Sequence, residues 1–158
     1  QALITALTKH EGRNRQIVDD IVGVVEEQST GTVLVVSDRL NHCQVFVELL
    51  GKHAIHVELL TGQTPADQRT AIVEDVQKGK VQVLVATLQL ISEGFDCSGL
   101  SSLFLTTPIT FEGRLLQVIG RIMRPAENKT PCVYDYVDED VSALRRSANA
   151  RQKILASI

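Results

Sequence analysis

Three clusters in this sequence combine residue types that can carry chemistry. The first is a set of hydroxyls, a glycine and an arginine that directly follow short apolar runs: Ser37-Asp38-Arg39, Thr61-Gly62-Gln63, Thr87 and Thr106-Thr107-Pro108. Hydroxyls, backbone N–H groups beside glycine and a guanidinium can hold a phosphodiester chain without reading its bases. Each of these residues is also an ordinary cap or turn former. The second cluster is Gln117-Val118-Ile119-Gly120-Arg121-Ile122-Met123-Arg124-Pro125. On a helix, with Gln117 at zero, Arg121 falls at about 40° and Arg124 at about −20°, opposite an apolar half that includes Leu116, Ile119 and Ile122. Pro125 stops the helix just after Arg124. One face is then core and the other Gln-Arg-Arg, with a guanidinium left near an element end; a solvated cationic face near a helix C-terminus has the same pattern. The third cluster is Ser92-Glu93-Gly94-Phe95-Asp96. Gly94 permits close backbone approach by a ligand, and Asp96 can accept from a ribose hydroxyl or cap the next segment.

Other chemistries are excluded by what the sequence lacks. It has no GxxxxGK[ST] and no GxGxxG, so these residues alone are not expected to hold and hydrolyse a nucleotide through either device. His10, His42, His53 and His56 form no HExxH and have no neighbouring nucleophile, which leaves them as surface or packing residues. The three cysteines, Cys43, Cys97 and Cys132, are odd in number and widely spaced, with no CxxC. They predict neither a disulfide framework nor a metal site, and suit a reducing compartment.

These clusters need a scaffold that carries strand ends to one place. Short β-branched runs at 33–36, 55–60, 81–86 and 102–105, with a fifth at 132–137, alternate with helical stretches at 40–52, 65–78 and 111–123. That rhythm predicts an α/β fold: an open, mostly parallel sheet with helices on both faces. Thr64-Pro65 supplies a helix-start signal and Gly79 a stop. A helix over 14–27 opens the chain, with Ile17, Ile21, Val24 and Val25 at helical spacing, and another over about 140–155 closes it. Ligands of such a sheet bind beyond the carboxyl ends of the strands, where the first cluster lies.

The bulk properties agree with a single domain over 1–158. At 17.3 kDa, 44% hydrophobic and 22% charged, the chain can bury roughly 70% of its unfolded surface without a metal or disulfide. Its apolar runs are too short for a membrane span, so a cytoplasmic protein with no membrane partner is expected. A net charge of −3 argues against holding nucleic acid by bulk positive charge, and leaves local contacts open.

Taken in order, the clusters resemble the C-terminal RecA-like domain of superfamily 2 helicases and translocases, over nearly the whole chain. Residues 33–39 resemble that family's motif IV, Leu60-Thr61-Gly62 with Arg69 its motif IVa, 84–87 through 93–96 its motif V, and 117–125 its motif VI. Gln117-Val118, where the DEAD-box branch has His-Arg, places the sequence nearer the branches of the XPB-like, phage UvsW-like and type III restriction translocation subunits. The resemblance implies that Arg121 and Arg124 act as arginine fingers on ATP held with Mg2+ mainly by a first RecA-like domain, absent from these residues, with Gln117 near the same phosphate. In GTPases such a finger contributes about 10³ to 10⁵ in rate. It further implies that Glu93, Gly94 and Asp96 lie beside the nucleotide, and that Ser37, Arg39, Gly62 and Thr87 hold a DNA or RNA strand by its phosphates. The chain would then be part of a longer protein and inactive in isolation. The competing expectation is a non-catalytic α/β binding module, for nucleic acid or protein, that kept the fold.

Overall fold

The computed structural model describes residues 2–28, 31–93, 95, 97–109, 116–117, 119–120, 132–136, 138, 146, 149, 152–153 and 155–156. The elements run α1 (Ala2–Thr8), α2 (Glu11–Glu27), β1 (Thr32–Ser37), α3 (Leu40–Gly51), β2 (Val57–Leu60), α4 (Ala66–Gln77), β3 (Val83–Thr87), α5 (Leu88–Ser92), β4 (Leu100–Leu105) and β5 (Cys132–Asp135). The five strands form one sheet in the order β2-β3-β1-β4-β5, and every pairing is parallel.

Strand β1 is central and buried along its whole length, which explains its unbroken Val-Leu-Val-Val run. Its side chains divide between two cores. Leu34 and Val36 face the layer formed with α4 and α5, through Val76, Leu90 and Ile91. Val33 and Val35 face the layer formed by Ile17, Val18 and Ile21 of α2 and Cys43, Phe46 and Leu50 of α3. The chain thus leaves β1 toward one face, whereas it leaves β2 and β3 toward the other. Such a divergence opens a crevice at the carboxyl end of the strand, here between β1 and its neighbours.

Several boundaries differ from the sequence reading, each for a local reason. Helix α2 begins at Glu11, because the His10 ring acts as the N-cap and accepts from the Arg13 N–H at 3.0 Å. Helix α1, ahead of it, carries no strong start signal and was not expected. Pro65 is the N-cap of α4, and the Thr64 hydroxyl instead accepts from the Thr61 N–H at 3.0 Å, so it closes the loop rather than capping the helix. Gly79 does end α4: at φ +74° it lets its own N–H reach the Val76 carbonyl and the Lys80 N–H reach the Asp75 carbonyl. Strand β2 starts two residues later than expected because His56 spends its N–H on the Gln82 side chain. The helices expected over 111–123 and 140–155 lie largely outside the described residues; 116, 117, 119, 120, 146, 149, 152, 153, 155 and 156 are helical.

Candidate nucleic-acid interface

The strand register brings the first cluster to one edge. Ser37 pairs directly with Thr87 across β1 and β3, and Leu60 pairs with Ala86, so Thr61-Gly62-Gln63 leaves the sheet beside them. On the other side of β1, Val36 pairs with Leu105, and Thr106-Thr107 follows. The loops are tied to one another. The Thr106 N–H and hydroxyl both donate to the Val36 carbonyl, at 3.0 and 2.8 Å, and the Asp38 N–H donates to the Thr107 hydroxyl at 3.0 Å. Within its own loop the Thr61 hydroxyl accepts from the Gln63 N–H.

The candidate residues differ in what they offer outward. Arg39 is the N-cap of α3 without capping through its side chain; its guanidinium holds Asp38 at 2.6 Å, with each side chain about one-third exposed. Gly62 is exposed, and a Cβ built there would meet nothing within 4 Å, so contacts within the chain do not demand a glycine. Thr87 is half-buried and is the N-cap of α5, again without a side-chain cap bond. Ser37 is fully buried. Arg69 of α4 has a buried Nε without a hydrogen-bond partner among the described residues.

Ser37 begins a buried polar chain that sequence reasoning did not find. Its Oγ lies 2.8 Å from His42 Nδ1, His42 Nε2 lies 2.7 Å from Asn14 Oδ1, and Asn14 Nδ2 donates to the Thr8 carbonyl at 2.9 Å. Because Asn14 Oδ1 can only accept, His42 Nε2 carries the proton and Nδ1 accepts from the Ser37 hydroxyl. The same Ser37 oxygen accepts from the Arg39 N–H at 3.2 Å. All partners are matched by a neutral imidazole. Burial, with the Arg13 charge adding to it, holds the His42 pKa down to about 4. The available signal was positional: Asn14 shares a helical face with Ile17, Val18 and Ile21, and His42 shares one with Phe46 and Leu50.

Arg13 was also missed. Its Nε and Nη2 engage both Asp138 oxygens, at 2.9 and 3.3 Å, and its Nη1 donates to the Thr106 carbonyl at 2.7 Å. This braces the loop after β4 from behind. Burial pushes Cys43 up to about 12, which makes it an inert packing residue.

For the other two clusters less is described. Gln117 is exposed on a helical segment whose Ile119 is buried and whose Leu116 packs against the core, the division expected for a polar outer stripe. Arg121 and Arg124 lie outside the described residues, as do Gly94 and Asp96. Glu93 is exposed at the end of α5. Among the described residues no three His, Cys, Asp or Glu gather as metal ligands, and no helix is long and apolar enough to cross a membrane.

Comparison with known proteins places this geometry. Residues 13–126 match the family model described as the helicase conserved C-terminal domain. The chain is 34% identical over 117 residues to the "Probable helicase D10" of Escherichia phage T5, covering 73% of this chain and 26% of that protein. It therefore spans about a quarter of the length of that curated relative. Among solved structures it resembles T4 UvsW, with a TM-score of 0.75 at 17% identity over 99% of this chain and 35% of that one. It also resembles S. cerevisiae Dbp5 bound to RNA and ADP BeF3, with a TM-score of 0.68 at 18% identity over 92% of this chain and 37% of that one. These likenesses show that the sheet and its helices form the RecA-like fold of helicase C-terminal domains.

Proposed function

The chain belongs to the helicase conserved C-terminal domain family, and from that premise we propose that it is the second motor domain of an ATP-dependent helicase or translocase. In this reading a first RecA-like domain of the same protein holds ATP and Mg2+, and the cleft between the two domains closes around the nucleotide. Arg121 and Arg124 reach across that cleft to stabilise charge on the transferring phosphate, with Gln117 beside them on the same helical stripe. Glu93, Gly94 and Asp96 border the nucleotide on this domain's side. ATP supplies a phosphoanhydride whose hydrolysis releases the closed form. Repeated closing and opening shifts the strand-gripping edge of this domain relative to that of the first.

The observation that best supports the reading is the convergence of three loops, after β1, β2 and β3, at one carboxyl edge. Arg39, Gly62 and Thr87 there offer a cation, an unobstructed backbone and a hydroxyl, a set suited to phosphates and indifferent to base sequence. Ser37 acts beneath them, as the acceptor that fixes the Arg39 N–H. The similar fold of S. cerevisiae Dbp5 occurs in a protein that binds RNA, which accords with a nucleic-acid role for this chain.

The grip is tested by fluorescence anisotropy with single-stranded oligonucleotides of two unrelated sequences. Arg39→Ala should weaken both to the same degree and reduce the slope of log affinity against log salt by about 0.7, the value for one lost phosphate contact on a single strand. Unchanged binding, or loss confined to one sequence, would remove Arg39 from the phosphate grip.

A further inference from the structure

A cavity of about 620 Å³, lined by both charged and apolar side chains, opens between α1, the N-terminal end of α2 and the length of α3 from Arg39 to Leu49. Its volume lies within the range of about 300–1,000 Å³ typical of small-ligand sites. Arg39 forms part of its wall, so the cavity is continuous with the proposed strand grip. Two further cations, Lys9 and Arg15, line it and are exposed, and among the described residues neither makes an ion pair. Glu11 is the lining carboxylate, which leaves a surplus of positive charge.

Two other features suit a phosphate and the base attached to it. The N-terminal turn of α3 borders the cavity, and the first N–H groups of a helix have no partners within it. Arg39 does not cap them with its side chain. Val45 and Leu49, one turn apart on α3, add an apolar strip against which a base can lie. The buried His42–Asn14 pair, joined at 2.7 Å, forms part of the same wall.

We propose that this cavity is a nucleotide subsite that extends the nucleic-acid path beyond Arg39, with Lys9 and Arg15 on phosphates and a base over Val45 and Leu49. The inference rests on the strand grip proposed above. The same phosphate-and-base chemistry could be presented by a free nucleotide, and the experiment separates the two sources.

The test compares wild type, Arg39→Ala and the double variant Lys9→Ala/Arg15→Ala of this 158-residue chain. The probes are a fluorescent oligothymidylate of about ten nucleotides, within the span of single-strand sites, and free ATP. Both substituted side chains of the double variant are exposed, so the fold should survive, which circular dichroism checks. The double variant should bind the oligonucleotide roughly tenfold more weakly at low salt, with a salt slope smaller by about 1.4 for two lost phosphate contacts. If it instead loses only ATP binding, the cavity takes a free nucleotide and the extension of the nucleic-acid path is overturned. If the double variant binds both probes as wild type does while Arg39→Ala weakens the oligonucleotide, the cavity is not a nucleotide site and the strand grip stands. If neither variant changes binding, both proposals fall.

Discussion

His42 is the residue whose chemistry is most constrained by its surroundings. It is 1% exposed, and its two ring nitrogens are matched to one donor and one acceptor, so protonation would reverse the bond to Ser37, strip the Ser37 hydroxyl proton of its acceptor and bury a charge near Arg13. Its folded pKa of about 4 lies below the unfolded value of 6.5, so between these values the unfolded chain binds the extra proton. Stability should therefore be complete above pH 6.5 and fall as pH drops toward 4, by about 3 kcal/mol from this group. Urea unfolding at pH 4.5 and 7 should show most of that loss in wild type, about 2 kcal/mol, and a flatter response in His42→Gln. Equal pH dependence in the two proteins would show that His42 is not held neutral. At this scale the outward candidates were legible in sequence, since Arg39, Gly62 and Thr87 follow strand-forming runs directly. The Ser37–His42–Asn14 chain was not, because it joins residues 28 positions apart and nothing in composition signals which polar side chains will meet.

At the scale of elements, two glycines separate backbone strain from crowding. Gly79 ends α4 at φ +74° with open space where a Cβ would stand, whereas Gly31 precedes β1 at φ +93° with Ser101 Cβ only 2.7 Å from that point. Gly79→Ala should cost about 1 kcal/mol, the left-handed penalty alone. Gly31→Ala should cost clearly more, about 3 kcal/mol, because Ser101 must also be displaced. Thermal unfolding of both variants checks the order, and equal losses would contradict the crowding argument. Helix α2 is joined to the far edge of the sheet through Arg13 and Asp138, whose side chains are 11% and 17% exposed. Arg13→Met would leave that carboxylate unpaired and the Thr106 carbonyl without its donor, and should destabilise by about 3 kcal/mol in denaturant unfolding. A loss under about 1 kcal/mol would mean that water replaces the guanidinium at no great cost. The five strands were readable as short β-branched runs, and the helices α3 and α4 as the stretches between them, α4 being bracketed by Thr64-Pro65 and Gly79. Helix α1 was not: none of its residues is buried, so no core pattern marks it. The true start of α2 was hidden by an imidazole serving as its cap, a role that the usual Ser, Thr, Asp and Asn signals do not cover.

At the scale of the whole molecule, one sheet carries its strand-end loops to a common edge, the crossovers after β1 and β3 leave toward opposite faces, and the Gln117 helix packs its apolar side on one of the two layers. That arrangement suits a domain that works against a second surface, gripping a strand on one edge and completing a nucleotide site across a cleft. The claim is tested most directly in the complete protein, by nucleic-acid-stimulated ATP hydrolysis of wild type and Arg124→Ala, with ATP and nucleic-acid binding measured alongside. An arginine finger stabilises charge that develops in the transition state, so turnover should fall by about 10³-fold or more while both affinities stay close to wild type. Unchanged turnover would put Arg124 on a solvated helix face and contradict the motor assignment.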